Sequence, residues 1–236
     1  MPESRVRGGA VRPIFVALAV LGAINLTACS TPDTGAAANS GATTGSAPGE
    51  SAPGTEASGN NLLARLRSGG TVVVIRHAAT DRTQQDVDER GDGRRVDFGD
   101  CATQRNLSDQ GRSDGRSIGM EVRDLGIPVA DVWASPYCRS KETADLAFGR
   151  AEVVPGLERL YPQRDEVADR ALSERIREQW PAGGEPNLVI VSHGVYPSVL
   201  APAVTLGEGE AAVYGGRGDA VELLGRLTPG DWSKLE

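Results

Sequence analysis

Two stretches decide the fold: Val72-Val73-Val74-Ile75-Arg76-His77 and Leu188-Val189-Ile190-Val191-Ser192-His193. Each is a short apolar run without alternation, the pattern of a strand buried on both faces of a parallel sheet. Each ends in one of the two histidines of the 236-residue chain. In open α/β sheets the ligand crevice lies just past the carboxyl ends of the strands. Two strands that each deliver an imidazole to that edge point to one site built from both.

Helices and further strands alternate around these runs. Leu62, Leu63 and Leu66 predict a short helix ending at Gly69-Gly70, and Ser108 can cap a helix running to about Leu125. Ile118, Val122 and Leu125 share one face of it, and Gly126 ends it. Residues 129–134 read as a strand broken by Ser135-Pro136, followed by a helix over about 139–148 and a short extended segment at 152–154. Val167, Ala171, Leu172, Ile176 and Trp180 give helical spacing over 165–180, and Pro197 fits a first helical turn. Residues 211–214 and 220–227 read as edge strands around Gly215-Gly216. The alternation predicts an α/β class domain, a three-layer α/β/α arrangement with a mostly parallel central sheet. The charged stretch 81–100, with Gly91, Gly93 and Gly99, reads as a mobile surface loop near His77.

The N-terminus reads differently. Arg5, Arg7 and Arg12 precede an uncharged apolar stretch, 14–24, too short to span a bilayer, and Leu26-Thr27-Ala28-Cys29 follows. This pattern resembles a bacterial lipoprotein signal. It implies a signal peptide over 1–28 and diacylglycerol on the sulfur of Cys29; an ordinary secretory signal or an uncleaved anchor are the alternatives. Residues 30–61 are almost entirely Gly, Ala, Ser, Thr, Pro and Asn, with charge only at Asp33, Glu50 and Glu56, so 29–61 reads as a disordered tether. Residues 62–236 suffice for one domain with a full core. The expected location is outside the cytoplasm, anchored to a membrane. The formal charge is −7, and a leader with three arginines and Glu3 carries +2, leaving about −9 on the mature chain. That balance argues against a nucleic-acid partner, although it permits a local cationic pocket. Cys101 and Cys138 remain, and an exported chain makes them a disulfide candidate, with two buried thiols as the alternative. The bridge would close about 38 residues, roughly 4 kcal/mol in the chain-entropy model.

Arg76 directly precedes His77, and Arg139 opens a helix just past the strand ending at Ala134. Guanidinium forks match phosphate oxygens, and a helix N-terminus adds partial positive charge. A neutral imidazole can attack phosphorus and form a covalent intermediate, and neighbouring arginines favour that neutral form.

Arg76-His77-Ala78, Arg105-Asn106-Leu107-Ser108-x-x-Gly111, Ser135-Pro136-x-x-Arg139-x-x-x-Thr143-Ala144 and Val191-Ser192-His193-Gly194 together resemble the histidine phosphatase superfamily. Its relatives include the phosphoglycerate mutases and many bacterial phosphomonoesterases. The likeness covers 72–194 in the family's order. It implies a phosphoglycerate mutase-like fold, His77 as phosphoryl acceptor, and Arg76, Arg139 and His193 lining a phosphate pocket. It also implies no metal and no cofactor, and two lone histidines without ligand spacing make a poor zinc site.

The chain departs from the family at several positions. Ala78 stands where glycine is commoner, and Thr80-Asp81-Arg82 replaces a region where mutase-like members carry an asparagine. No acid follows His193, as one branch would require. Glu158 is the positional match to the other branch's proton donor, with a solvated glutamate paired to Arg159 as the alternative reading; Asp81 and Asp100 are further candidates. Arg82 and Arg105 could extend the cationic pocket, whereas Lys141 reads as solvated, Tyr196 as packing, and Trp133 and Trp180 as core. The expectation is a membrane-tethered, metal-independent phosphomonoesterase working through a phosphohistidine on His77. Its substrate would be a phosphorylated small molecule or an envelope phosphate ester. The alternatives are a mutase-like phosphotransferase and a non-catalytic lipoprotein that binds a phosphorylated ligand.

Overall fold

In chain order the elements are α1 (Gly59–Ser68), β1 (Val72–Arg76), α2 (Asp109–Asp124), β2 (Val129–Ala134), α3 (Cys138–Phe148), β3 (Glu152–Val153), α4 (Glu166–Glu178), β4 (Asn187–Ser192), β5 (Ala211–Gly215) and β6 (Glu222–Leu227). The computed structural model describes residues 59–87, 96–158, 166–194 and 200–236, all within the unit Ala52–Glu236. The leader, Cys29, most of the tether, Arg159, Tyr196 and Pro197 lie outside the described residues.

One six-stranded sheet carries the order β3-β2-β4-β1-β5-β6. β1 and β2 both pair parallel to β4, and β3 pairs parallel to β2, whereas β5 is antiparallel to β1 and to β6. The alternation of side chains along each strand divides the core in two. Val73, Ile75, Val132, Val189 and Val191 pack with α1, α2 and α3 through Leu66, Ile118, Val122 and Ala144. Val72, Val74, Leu188 and Ile190 pack on the other face with Leu172 and Ile176 of α4 and with Trp180. The chain steps outward from β1 to β2 to β3 with α2 and α3 on one face. It then turns back to β4 with α4 on the opposite face, as right-handed crossovers require. The result is the three-layer α/β/α arrangement with a mostly parallel sheet. No helix among the described residues is long and apolar enough to cross a membrane.

Two sequence expectations need correction. β5 is not an edge strand; it lies between β1 and β6 and is buried throughout, and only β6 borders the sheet on that side. Its cover includes Leu200 and Leu206 from the irregular segment just before it, where no periodicity marks them as core. Val167, one of the positions that give α4 its helical spacing, does not share the buried face of Leu172 and Ile176 and points outward at 76% exposure.

α2 begins as expected, with the Ser108 side chain accepting a hydrogen bond from Gly111 N–H. Gly111, Gly115 and Gly119 form a stripe at i, i+4 and i+8 that lets α2 sit against other backbone. A side chain at Gly111 would collide with the Ala79 carbonyl, and one at Gly119 with the Ala147 carbonyl. Gly119→Ala should therefore lower unfolding free energy by about 2 kcal/mol through overpacking, although alanine is the better helix former by ~1 kcal/mol. Urea unfolding checks this. Ser113→Ala on the exposed face should stay within about 0.5 kcal/mol of the parent. An equal or raised midpoint for Gly119→Ala would show that the two helices separate at no cost.

Candidate active site

The register of β1 and β4 places the histidines side by side. Ile75 pairs with Val191 and Arg76 with Ser192, and His77 N–H then donates to the Ser192 carbonyl at 2.9 Å. The two rings emerge at one sheet edge with centroids 5.4 Å apart. On the far side of β4, Ser135 N–H donates to the Val191 carbonyl, which brings the end of β2 to the same edge.

His77 Nδ1 lies 2.9 Å from the Ala78 carbonyl. A carbonyl only accepts, so Nδ1 carries the ring proton and Nε2 keeps its lone pair, the arrangement a nucleophilic imidazole needs. The loop is held from two sides: Ala78 N–H donates to Thr143 Oγ1 at 3.0 Å, and Ser108 N–H donates to the Ala79 carbonyl. Burial, then the charges of Arg139 and Arg76, push the His77 pKa down to about 4, against opposing contributions from the Ala78 hydrogen bond and Glu208. His193 is also held well below its ordinary value, by burial and then by His77, Arg139 and Arg76. Its Nε2 lies 3.0 Å from Ser135 Oγ, which also accepts from Tyr137 N–H. The hydroxyl can donate to a bare Nε2 while accepting from Tyr137 N–H, and in that tautomer Nδ1–H is a donor.

Arg139 is buried to 1% exposure, its guanidinium 4.1 Å from the Tyr137 ring centroid. Its Nη1 donates to Asp86 Oδ1 at 2.9 Å and Oδ2 at 3.2 Å. Arg76 Nη1 donates to the Leu206 carbonyl at 2.8 Å. Among the described residues, Arg76 Nε, Arg105 Nε, Arg139 Nε and His193 Nδ1 are buried without a hydrogen-bond partner. Buried donors are ordinarily paired, and these four belong to groups that act electrostatically on one another around the two imidazoles. Such an arrangement suits a multiply charged oxyanion.

Four carboxylates bear on the expectations. Glu158 Oε2 accepts from Gly156 N–H at 2.6 Å, turned onto its own loop. Asp81 caps a turn through Thr83, and Asp100 caps the short helix Cys101–Thr103. Glu208 is the acid that sequence reasoning missed. It accepts from Thr80 Oγ1 at 2.8 Å and lies 3.9 Å from Arg76, 3.5 Å from Arg82 and 3.9 Å from Arg105. Burial would raise its carboxyl, but the Thr80 hydrogen bonds and the charges of His77 and Arg82 hold it below the usual range. The lead-in to β5 delivers it, with Gly209 N–H bonded to the His77 carbonyl. A reading of that strand as an edge conceals this. Arg105 thus joins the cationic group, while Arg82 reaches Glu208 from a largely exposed position. Lys141, expected to be solvated, instead donates to the Phe98 carbonyl at 3.1 Å. Cys101 and Cys138 form a disulfide with Cα atoms 5.7 Å apart. Part of the charged loop is tied down, since Arg105 N–H donates to Asp86 and Asn106 N–H to Gln84. No group of three or more His, Cys, Asp or Glu among the described residues is placed to hold a metal ion.

The lowered histidines make stability depend on pH. An unfolded histidine titrates at 6.5 and His77 in the fold at about 4, so between those values the unfolded chain binds the extra proton. Stability contributed by neutral His77 is present above 6.5 and lost as pH falls toward 4. At pH 5 this group alone removes about 2 kcal/mol relative to pH 7.5, and His193 adds in the same direction. Urea unfolding at the two pH values should show at least that loss, with a shallower dependence in His77→Asn. A drop under about 1 kcal/mol in the parent would mean that both imidazoles titrate normally.

No protein-family model matches the chain, and no curated protein does. Solved structures do. The protein histidine phosphatase SixA complexed with tungstate aligns at 18% identity, over 68% of this chain and 98% of its own, with a TM-score of 0.47. Rv3214 from Mycobacterium tuberculosis aligns at 14% identity, over 65% of this chain and 94% of its own, with a TM-score of 0.45. The phosphoserine phosphatase of Entamoeba histolytica, in complex with 3-phosphoglyceric acid, aligns at 13%, over 67% and 96%, with a TM-score of 0.39. In this chain Arg76, His77, Arg139 and His193 are gathered at one edge of a mostly parallel sheet.

Proposed function

We propose that this protein is a metal-independent phosphomonoesterase that works through a phosphohistidine on His77. The observation that carries this reading is the free Nε2 of a neutral, oriented imidazole set among buried guanidinium and imidazole donors without partners. Nε2 attacks phosphorus, the P–N bond forms, and the ester P–O bond breaks as the leaving oxygen takes up a proton. Water then attacks phosphorus and gives up a proton to the group that protonated the leaving oxygen, the P–N bond breaks, and inorganic phosphate departs with His77 neutral again. Arg76, Arg105, Arg139 and His193 Nδ1–H stabilise charge on the non-bridging oxygens in both steps.

Glu158 is the proposed proton donor. It follows Leu157, whose carbonyl accepts from Ser192 Oγ at 2.8 Å, one residue before His193, and its charge is felt at Tyr137. The full-length protein should hydrolyse an aryl phosphate with chelator present and accumulate an acid-labile phosphoenzyme. His77→Ala should lose both, with turnover down by at least a thousandfold, on the order of what loss of a nucleophile costs. Glu158→Gln should slow alkyl phosphates far more than aryl phosphates, because good leaving groups need no proton. Turnover that requires added metal, or that survives His77→Ala, would overturn the reading.

The site works outside the cytoplasm, held to a membrane by a lipid on Cys29. The basic start, the short apolar core and the cysteine at its end support this. The protein should partition into the detergent phase, and Cys29→Ser should move it to the aqueous phase. Retention of the variant in detergent would place the anchor elsewhere.

A further inference from the structure

We infer that Asp86 is a positioning residue that sets the orientation of Arg139 toward the transferring phosphoryl group, an inference that rests on the phosphatase reading. Nη1 of Arg139 is taken up by both Asp86 oxygens and lies 3.4 Å from the Arg105 carbonyl. One face of the guanidinium is covered by the Tyr137 ring. A planar fork pinned at one corner and stacked on one face has a single orientation left, and in it Nε is buried without a partner. Arg139 acts electrostatically on both histidines, so the free Nε belongs to the cationic group around them. Asp86 therefore uses the corner of the fork that the phosphoryl group does not need.

Asp86 is itself held. It accepts from Arg105 N–H at 2.9 Å, and its neighbour Val87 donates to the Thr103 carbonyl at 2.8 Å. The segment carrying Thr103 and Arg105 is bound back to the start of α3 by the Cys101–Cys138 bridge and by Gln104 Oε1, which accepts from Cys138 N–H at 2.9 Å. The chain of contacts leaves α3 at Cys138 and returns to it at Arg139. A charged loop is thereby made into a brace for one side chain.

The test compares Asp86→Ala with Asp86→Asn in the full-length protein. The two variants carry the same charge, but only asparagine keeps an oxygen for Nη1 and for Arg105 N–H. Calorimetry with inorganic phosphate should show Asp86→Ala binding at least about tenfold more weakly than Asp86→Asn. On an aryl phosphate kcat/KM should be about a hundredfold lower in the alanine variant, with kcat reduced as well as KM raised. The asparagine variant should recover to within about threefold of the parent. Asp86→Glu keeps the charge and moves the carboxylate by one methylene. It should also bind phosphate about tenfold more weakly than the parent, and it serves if alanine leaves buried Arg139 too poorly compensated to fold. Equal phosphate affinity in the alanine and asparagine variants, or in the glutamate variant and the parent, would reduce Asp86 to a counter-charge. Tighter phosphate binding in Asp86→Ala than in Asp86→Asn would make it a competitor of the substrate. Phosphate binding reads Asp86 even in a protein that turns nothing over; absence of turnover in the parent would count against the phosphatase reading alone.

Discussion

The site depends on the pairing of β1 with β4. Both strands are buried on both faces, so a slip of one residue would exchange every side chain between the two halves of the core. That penalty fixes Arg76 opposite Ser192, and with it the positions of both histidines one residue further on. β2 joins β4 in the same sense and adds Ser135, whose hydroxyl lies 3.0 Å from His193 Nε2 and holds that side of the ring. Hydrophobic packing far from any chemistry thereby determines which ring nitrogen faces the pocket.

Burying charge is costly unless it is paired, and the pocket meets that constraint in two ways. Its arginines have acids from distant parts of the chain: Asp86 for Arg139, and Glu208 near Arg76, Arg82 and Arg105. Its histidines avoid the cost by remaining neutral, which is also the state in which one of them can act as a nucleophile. The acids engage terminal guanidinium nitrogens and leave the Nε atoms of Arg76, Arg105 and Arg139 unpartnered. The field stays positive where an anion would sit, although the chain as a whole is acidic.

The parallel strands were legible because uninterrupted valine and isoleucine runs have few other uses, and α2 because Ser108 and Gly126 mark its ends. The paired cysteines were legible from their number, once the N-terminal pattern is read as an export signal. Asp86 and Glu208 were not. Both lie in glycine-containing or charged stretches without periodicity, and only contacts with residues 53 and 128 positions away give them a role. β5 was misread for a related reason: Ala211-Ala212-Val213-Tyr214 flanked by glycine carries no sign of the segments that cover it. For Glu158 the sequence indicated a place in the chain, but the direction of its carboxylate follows from the turn at Gly156, whose φ is +98°.

The glycine stripe on α2 bears on the order in which the molecule assembles. Three glycines in 16 residues cost about 3 kcal/mol of helix propensity, and a helix of this length is already marginal alone in water. α2 therefore gains its stability only on docking, when Gly115 and Gly119 close on α3 and Gly111 on the Ala79 carbonyl. That carbonyl belongs to the loop that orients His77. Docking of the helix and ordering of the nucleophile's loop are thereby coupled, because the close fit at the Ala79 carbonyl serves both.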